Sequence, residues 1–251
     1  ECRVFQKTNV YRKLYAFMQQ LVINKCSDKI ITLTKKEKNN YIAKYSIDPN
    51  KIDYIYNFVD NGNSFAEKYN PKSKKIISVG RVSYEKGYEY LIKVASIVFA
   101  KHRDWEWHIF GMNCSQYANS IKKMIKDNNL ENNVKLFDPK NNICALYSEY
   151  AFLVSTSRYE GFGLVLLEAK TNKLPVVSFD IFSGPSDIIQ NKIDGFLVKP
   201  YDVVDMSNKI IELIDNEKKR VEFSNNASLN LEKFKKDAIV SQWEDLIESI
   251  N

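Results

Sequence analysis

Apolar residues along this chain follow two alternating spacings. Short apolar runs alternate with longer segments in which apolar residues recur every three or four positions. The runs predict buried strands, and the recurrence predicts amphipathic helices. From residue 75 onward the alternation is regular, which is typical of βαβ units in a parallel sheet covered by helices on both faces. We therefore predict an α/β fold with a Rossmann-like, doubly wound parallel sheet.

The regular region predicts its strands and helices individually. The predicted strands are Lys75–Val79, Trp107–Phe110, Val134–Leu136, Ala151–Ser155 and Val176–Phe179. The predicted helices are Tyr88–Ala100, Gln116–Asn128, a short one at Ile143–Tyr147, Leu164–Thr171, one after Pro185, Val203–Asp215 and Lys236–Ile250. We expect the segment between the last two helices to be a polar connection.

The first part of the chain predicts a smaller set of elements. Thr8–Lys25 has helical spacing, Lys29–Leu33 reads as a strand, a helix follows at Thr34–Lys44, and Asp53–Tyr56 is a second strand. Asn57–Lys75 is rich in Asn, Lys and Gly and lacks periodicity, so we expect a domain boundary there.

Composition indicates an ordinary globular protein with no membrane span. The chain has 251 residues, 44% of them hydrophobic, but no apolar run of the roughly 18 residues that a membrane helix requires. No secretion signal is visible, so we expect a cytoplasmic protein, with peripheral contact at the inner face of the membrane left open. The first residue is Glu1 and not Met, so we expect the chain to be a fragment.

Cysteine and charge patterns narrow the chemistry. The four cysteines are widely separated and form no CxxC pair, so we predict reduced thiols and no metal site. The net charge of +6 comes from lysine clusters that could attract nucleotides, nucleic acid or anionic lipid. Solvated lysines on the protein surface are the simpler interpretation of any single cluster.

Cations and glycines follow the first strand of the regular region. Val79 leads into Gly80-Arg81, and Glu85-Lys86-Gly87 comes shortly afterwards. Because ligands of open parallel sheets bind beyond the carboxyl ends of the strands, these residues should border a crevice. Two cations beside glycines suit an anionic phosphate group, although glycines at such positions also simply form turns.

The segment from Arg158 to Glu168 is the strongest single feature. Glu160 and Glu168 lie eight residues apart and enclose a glycine turn, Gly161–Gly163, followed by an apolar helix start. Free amides at a helix N-terminus can bind an anion. We expect the Glu168 carboxylate to be substantially buried and to need hydrogen-bond donors such as sugar hydroxyls. An ion pair for Glu168 and a solvated loop acid for Glu160 are the alternatives.

These segments, in this order, resemble the retaining family 4 glycosyltransferases, the glycosyl transferases group 1 domain, over essentially the whole chain. Ile77–Arg81 with Glu85–Gly87 is similar to the diphosphate-binding segment of the family, and Glu160–Glu168 to its E-x7-E motif. Asp194–Val198 resembles the strand that follows, and Cys26–Thr34 and Ile55–Asp60 resemble the end of the N-terminal domain and the hinge.

The resemblance implies a two-domain GT-B fold that is cut short. Residues 1–60 would be the remnant of the N-terminal, acceptor-binding domain and the hinge, so the second Rossmann-like half is truncated. Residues 61–235 would bind the nucleotide-sugar donor, and residues 236–251 would form a helix that returns toward the N-terminal domain.

The resemblance also implies a role for individual residues. Arg81 and Lys86, beside Gly80, would neutralise the donor diphosphate, and Glu168 would hold the ribose hydroxyls. Glu160 and the turn that follows it would contact the donor sugar. The implied catalytic residues are Glu160, Arg81 and Lys86. The implied donor-binding residues are Gly80, Arg81, Lys86, Phe137, Pro139, Glu160, Gly161, Phe162, Gly163, Leu164 and Glu168, with Phe137 and Pro139 against the base.

The implied reaction is transfer of a sugar with retention of its anomeric configuration, with no obligatory metal or cofactor. The donor would be a nucleotide sugar, with a UDP-sugar preferred, and the acceptor a cell-surface glycan or a lipid-linked glycan of bacteria. This fragment by itself is expected to be weakly active or inactive. We predict no nucleic-acid partner, because aromatic residues do not interleave with the lysine clusters.

Two other interpretations bear on the same fold. An NAD- or FAD-binding protein would be expected to carry G-x-G-x-x-G after the first strand, and this sequence does not. A non-catalytic GT-B-like subunit that binds a nucleotide sugar or a partner enzyme stays open, because its donor motif would look the same.

Overall fold

The computed structural model of the chain describes Met18, residues 25–59 and residues 69–250. Closeness of Cα atoms in space divides the chain into two compact units. The larger is residues 57–238, and the smaller combines residues 1–56 with residues 239–251. The predicted helix Thr8–Lys25 lies almost entirely outside the described residues, as do residues 60–68 of the predicted boundary segment.

The smaller unit contains two short parallel strands that pair with each other and are connected by a helix. Strand β1 (Ile30–Thr32) pairs with β2 (Ile52–Tyr54), and α1 (Lys35–Tyr45) connects them. Helix α1 starts where it does because Thr34 accepts a hydrogen bond from the Glu37 amide at 3.1 Å, while the Glu37 carboxylate accepts one from the Leu33 amide at 3.2 Å. These three predicted elements are thus confirmed, with bounds shifted by one or two residues.

The larger unit is built on a six-stranded, wholly parallel sheet. Its strands are β3 (Lys75–Val79), β4 (Glu106–Phe110), β5 (Val134–Phe137), β6 (Phe152–Ser155), β7 (Val176–Phe179) and β8 (Gly195–Val198). The helices of this unit are α2 (Tyr88–Phe99), α3 (Gln116–Asp127), α4 (Leu164–Thr171), α5 (Pro185–Ile188), α6 (Val203–Asp215) and α7 (Glu217–Asn226). The last helix, α8 (Lys236–Glu248), begins in this unit and belongs from residue 239 onward to the smaller one. Short 3-10 turns lie at Tyr84–Lys86, Ile143–Glu149 and Glu232–Phe234.

The order of the strands fixes where a ligand can bind. Across the sheet they run β5-β4-β3-β6-β7-β8, so the chain starts in the middle, moves to one edge, and then crosses over to build the other half. The direction reverses between β3 and β6. In doubly wound sheets the ligand crevice opens at this reversal, beyond the carboxyl ends of the strands. The predicted α/β class and doubly wound sheet are confirmed.

Helices cover the sheet on both faces because its strands are apolar on both. Helix α2 packs against α3 and α6, and their buried residues form one core with alternate residues of the strands, among them Trp107 and Phe152. Helix α4 packs on β6 and β7 together with the 3-10 turn Ile143–Glu149. Two buried polar groups of this core are paired: Trp107 donates to Ser78 Oγ at 3.0 Å, which donates to the Val154 carbonyl at 2.6 Å.

Two local predictions need refinement. The short helix predicted at Ile143–Tyr147 is present as a 3-10 helix that continues to Glu149. The polar segment expected before the last helix contains α7, a helix of mostly polar residues that the sequence pattern did not predict. Helix α7 is stabilised by tertiary contacts: Phe223 is fully buried, and the buried Arg220 guanidinium donates to the carbonyls of Leu213, Ile214 and Pro71.

Candidate functional site

Two loops meet at the reversal point of the sheet, residues 80–87 after β3 and residues 156–163 after β6. The Arg158 amide donates to the Glu85 carbonyl at 2.7 Å, and Thr156 Oγ1 donates to the Lys86 carbonyl at 3.3 Å. A Cβ atom on Gly87 would lie 2.3 Å from the Thr156 carbonyl oxygen, so the loops can approach this closely only because residue 87 is glycine.

This approach brings Lys86 and Glu160 into direct contact. Lys86 Nζ lies 2.6 Å from Glu160 Oε1, and the two side chains are 24% and 15% exposed. Ser157 Oγ donates to the same oxygen at 2.7 Å. The other oxygen, Oε2, has no hydrogen bond to any described residue, so the carboxylate is held in one orientation with one oxygen open to a ligand.

Of the two arginines in these loops, Arg81 is exposed and Arg158 is engaged. Arg81 makes no hydrogen bond or ion pair with the described residues. The Arg158 guanidinium forms an ion pair with Glu89, donates to the Tyr84 carbonyl at 3.0 Å, and lies 4.0 Å over the Tyr84 ring. Arg81 is therefore available to an anionic ligand, whereas Arg158 joins the two loops.

Gly80 makes room for the lysine. It has φ = +146°, and a Cβ atom there would lie 3.1 Å from Lys86 Cε. Its amide donates to the Phe110 carbonyl at 2.9 Å, and its carbonyl accepts a hydrogen bond from the Tyr88 hydroxyl at 2.7 Å. The start of this loop is thus fixed by the neighbouring strand and by α2.

The N-terminus of α4 faces the same loops. Gly163 precedes it with φ = +94° and supplies no side-chain cap. No described group accepts a hydrogen bond from the amides of Leu164 and Val165, and the Leu164 side chain is exposed. Two amides at the positive end of an eight-residue helix are therefore available to an anion.

The glycine turn before α4 is supported by the loop after β7. Ser183 Oγ donates to the Gly161 carbonyl at 3.2 Å, and a Cβ atom on Gly184 would lie 1.9 Å from the Phe162 carbonyl oxygen. The Phe162 side chain is buried, with its ring centroid 5.6 Å from that of Phe234. Phe162 thus anchors the turn, and only its backbone is left to contact a ligand.

Glu168 lies one turn into α4 and is partly buried. Burial raises the pKa of its carboxyl, and the neighbouring Tyr147 hydroxyl opposes that change. The Tyr147 hydroxyl is itself buried and has no hydrogen bond of standard geometry among the described residues. Glu168 forms no ion pair with them either, and Lys170, two residues farther along the helix, is paired with Asp194 at 2.6 Å. The ion-pair alternative for Glu168 therefore has no support in this structure.

Phe137 and Pro139 lie farther away, at the end of the edge strand β5. The Phe137 ring stacks on Phe110 at 4.9 Å, and its carbonyl accepts hydrogen bonds from the Gly111 and Met112 amides. Both side chains are exposed. No contact among the described residues joins them to Lys86 or Glu160.

Comparison with known proteins identifies the family. A model of the glycosyl transferases group 1 family matches residues 60–229. The chain belongs to this family. The chain is also similar to the poly(ribitol-phosphate) alpha-N-acetylglucosaminyltransferase of Staphylococcus aureus. The two sequences are 34% identical over 221 residues, which are 88% of this chain and 44% of that protein.

Solved structures agree with the family assignment. A mutant of S. aureus TarM in complex with fondaparinux, alpha-GlcNAc-glycerol and UDP superposes with a TM-score of 0.83 at 32% identity, covering 91% of this chain and 46% of that chain. Anabaena HepE in complex with UDP and glucose superposes with a TM-score of 0.82 at 20% identity, over 93% and 66% of the two chains, and supports the GT-B fold. The chain spans less than half the length of the S. aureus protein.

The lysine clusters of this glycosyltransferase-family chain are largely engaged. Lys74 pairs with Asp104 at 2.6 Å, Lys75 with Glu149 at 3.6 Å, and Lys235 with Glu232 at 2.7 Å. Lys233 Nζ donates to the Asp187 carbonyl at 2.9 Å. These contacts favour the interpretation of the clusters as solvated surface lysines.

Some features of the site were missed by sequence reasoning. Ser157 orients Glu160, Tyr147 faces Glu168, and Arg158 with Glu89 joins the loops. A hydroxyl three residues before Glu160 was a visible signal, whereas the other contacts depend on distant elements. Within the described residues, no group of three or more His, Cys, Asp or Glu side chains could hold a metal ion, and no helix is both long and apolar enough to cross a membrane.

Proposed function

We propose that this chain is the donor-binding part of a retaining, family 4 glycosyltransferase. The enzyme moves a sugar from a nucleotide sugar, preferably a UDP-sugar, to a cell-surface glycan or a lipid-linked acceptor. The observation that carries the proposal is the Lys86–Glu160 pair at the reversal point of the sheet, with Arg81 exposed beside it. The activity of the S. aureus relative and the UDP in the TarM complex support this choice of donor.

The proposed roles follow from charge and position. Arg81, Lys86 and the Leu164 amide take the diphosphate, because each offers a positive charge or a free N–H group. Glu160, with the Gly161–Gly163 backbone, holds the sugar through its open oxygen. Glu168 accepts hydrogen bonds from the ribose hydroxyls. Phe137 and Pro139 would border the base, which would then extend along the sheet toward β5.

The chemistry requires stabilisation of a leaving diphosphate. The bond between the anomeric carbon and the diphosphate oxygen breaks, and a bond to the acceptor oxygen forms on the same face of the sugar. Negative charge grows on the leaving oxygen, where fixed cations and amides stabilise it. We therefore propose that no metal ion or other cofactor is obligatory.

The domain assignments belong to the same proposal. Residues 1–60 are the end of the acceptor domain and the hinge, residues 61–235 bind the donor, and residues 236–251 return toward the acceptor domain. We expect the 251-residue chain by itself to bind donor and to transfer weakly. The proposed setting is the cytoplasm, with peripheral contact at the inner face of the membrane and without a nucleic-acid partner.

Calorimetric titration of the purified chain with UDP, with GDP and ADP as controls, tests the proposal. We expect one nucleotide to bind in EDTA and magnesium to change its affinity little. Arg81→Ala and Glu168→Ala should each weaken binding about tenfold or more, because each removes a charged hydrogen-bond partner. Sugar transfer by a chain that includes the complete acceptor domain would then distinguish an enzyme from a non-catalytic subunit.

Two results would contradict this proposal. One is a wild-type chain that is folded by circular dichroism and binds none of the nucleotides. The other is nucleotide binding that is unaffected by both substitutions, which would move the donor to a different place on the protein.

A further inference from the structure

The Lys86–Glu160 ion pair occupies the place that the proposed function gives to the diphosphate and the transferred sugar. Nζ and Oε1 are 2.6 Å apart, and neither side chain is more than a quarter exposed. Water is therefore largely excluded from the contact. Under these conditions a charge pair interacts more strongly than an exposed salt bridge does.

The lysine is thus largely neutralised before any ligand arrives. A diphosphate that approaches Nζ meets a nearly neutral pair, and it also comes close to the Glu160 carboxylate. Like charges repel strongly where little water screens them. Arg81 is different, because it is exposed and forms no ion pair with the described residues, and its charge acts on the exposed Glu85 carboxyl only across solvent.

The open oxygen of Glu160 changes the balance for a ligand that carries a sugar. Lys86 and Ser157 both contact Oε1, which leaves Oε2 without a hydrogen bond to the described residues and able to accept one from a ligand. Sugar hydroxyls are donors and fit such an acceptor. A nucleoside diphosphate without a sugar brings the negative charge but not the donors.

We propose that Glu160 lowers the affinity of this site for the bare nucleoside diphosphate, and that a sugar on the diphosphate offsets the loss. This inference rests on the proposed function and concerns the regulation of the same site. The pair then discriminates the nucleotide-sugar donor from the nucleoside diphosphate product. It favours release of the product, a step that limits turnover in many transferases.

Calorimetric titration of the whole chain with UDP, before and after Glu160→Gln, tests the inference. Glutamine keeps the shape of the side chain and removes its charge. We expect UDP to bind about tenfold more tightly to the variant. The ratio of the affinity for UDP-glucose or UDP-N-acetylglucosamine to the affinity for UDP should fall by at least a similar factor. The variant no longer repels bare UDP, and its glutamine amide is a weaker hydrogen-bond acceptor for the sugar than the carboxylate was.

Two further variants separate this effect from a general change of charge or fold. Glu131→Gln removes the same charge from an exposed residue in the turn between α3 and β5, outside the two loops of the site, so UDP affinity should change by less than about twofold. Glu160→Asp keeps the charge, so UDP should bind about as weakly as to the wild type. Thermal melting by circular dichroism checks that each variant is folded.

A double-mutant cycle with Lys86→Gln identifies the lysine as the mediator. In the Lys86→Gln background, Glu160→Gln can relieve only the direct repulsion between the carboxylate and the diphosphate, because there is no lysine left to release. UDP binding should therefore tighten by only about threefold. Unchanged or weaker UDP binding by Glu160→Gln, with wild-type binding intact, would overturn the inference alone, as would equal tightening by Glu131→Gln. A folded wild-type chain that binds no nucleotide would overturn the proposed function as well.

Discussion

The Tyr147 hydroxyl lies close enough to Glu168 to influence its carboxyl. Burial raises the pKa of the Glu168 carboxyl, because the charged form is penalised in a site with little water, while the Tyr147 hydroxyl favours the charged form. Ribose hydroxyls would donate to the charged carboxylate. Binding of the donor should therefore weaken as the pH falls through the pKa of Glu168, and this should begin at a higher pH than for an exposed glutamate.

Tyr147→Phe should shift this loss of donor binding at low pH, the acid limb of the pH profile, to higher pH. The substitution removes the hydroxyl that supports the charged carboxylate, so the pKa of Glu168 should rise further. Binding of UDP-glucose should be about threefold weaker at the acid end of the range and unchanged at about pH 8. UDP-glucose is the better probe, because its diphosphate is esterified at both ends and has no group that titrates in this range.

Glu168→Gln is the matched control for that measurement. It cannot lose a proton, so its weak binding should show no acid limb of this origin. Identical limbs in the wild type and in Tyr147→Phe would mean that the tyrosine does not act on Glu168. Circular dichroism at each pH confirms that the proteins remain folded.

At the scale of elements, the spacing of Lys86 and Glu160 depends on how two loops are fastened together. The Arg158 guanidinium is 10% exposed and Glu89 is 20% exposed, so their ion pair connects the β6 loop to α2 with little water present. The Tyr117 hydroxyl donates to the same Glu89 carboxylate. Stacking on Tyr84 and on Tyr90, at 4.0 and 4.6 Å, completes the environment of the arginine.

Arg158→Met should therefore destabilise the larger unit. It leaves Glu89 with the tyrosine hydroxyl but without a cation, and breaking such a largely buried pair costs about 2 to 4 kcal/mol in the free energy of unfolding. The double variant Arg158→Met/Glu89→Met should lose less than the sum of the single variants, because no unpaired charge remains. Urea denaturation measures both effects, and losses below about 0.5 kcal/mol for the single variant would contradict this account.

The sequence predicted the elements around the site better than the contacts within it. Glycines and charged residues after β3 and β6 indicated a shared crevice, and the reversal of strand order does bring those loops together. The pattern did not indicate that Lys86 would contact Glu160 directly, or that Arg158 would be engaged by Glu89. Such pairings depend on loop geometry at a scale of about one ångström, which periodicity does not encode.

For the whole molecule, β8 was expected only from the family resemblance, whereas apolar periodicity was sufficient for the other five strands of the parallel sheet and for most helices. It failed for α7, whose only large apolar residues are Val221 and Phe223. That helix is stabilised by the burial of Phe223 and by Arg220, which caps carbonyls of α6 and of Pro71. Tertiary contacts can select a helix whose own sequence carries a weak signal.

Lys170 and Asp194 are a further case in which whole-fold packing decides what a residue does. Both side chains are fully buried and lie 2.6 Å apart. Lys170 Nζ also donates to the Ile188 carbonyl at 2.7 Å, and Asp194 accepts a hydrogen bond from the Gln190 amide at 2.9 Å. The pair joins α4 to the segment between α5 and β8.

Asp194→Asn should leave the Lys170 ammonium buried without a counter-charge. We expect the free energy of unfolding to fall by about 3 to 5 kcal/mol, whereas Lys170→Met/Asp194→Asn should lose clearly less, since no buried charge remains. Urea denaturation of the three proteins gives the comparison. Because neither residue borders the crevice, the UDP affinity of the folded single variant should stay within about twofold of the wild type. A large loss of affinity at unchanged stability would mean instead that this ion pair belongs to the donor site.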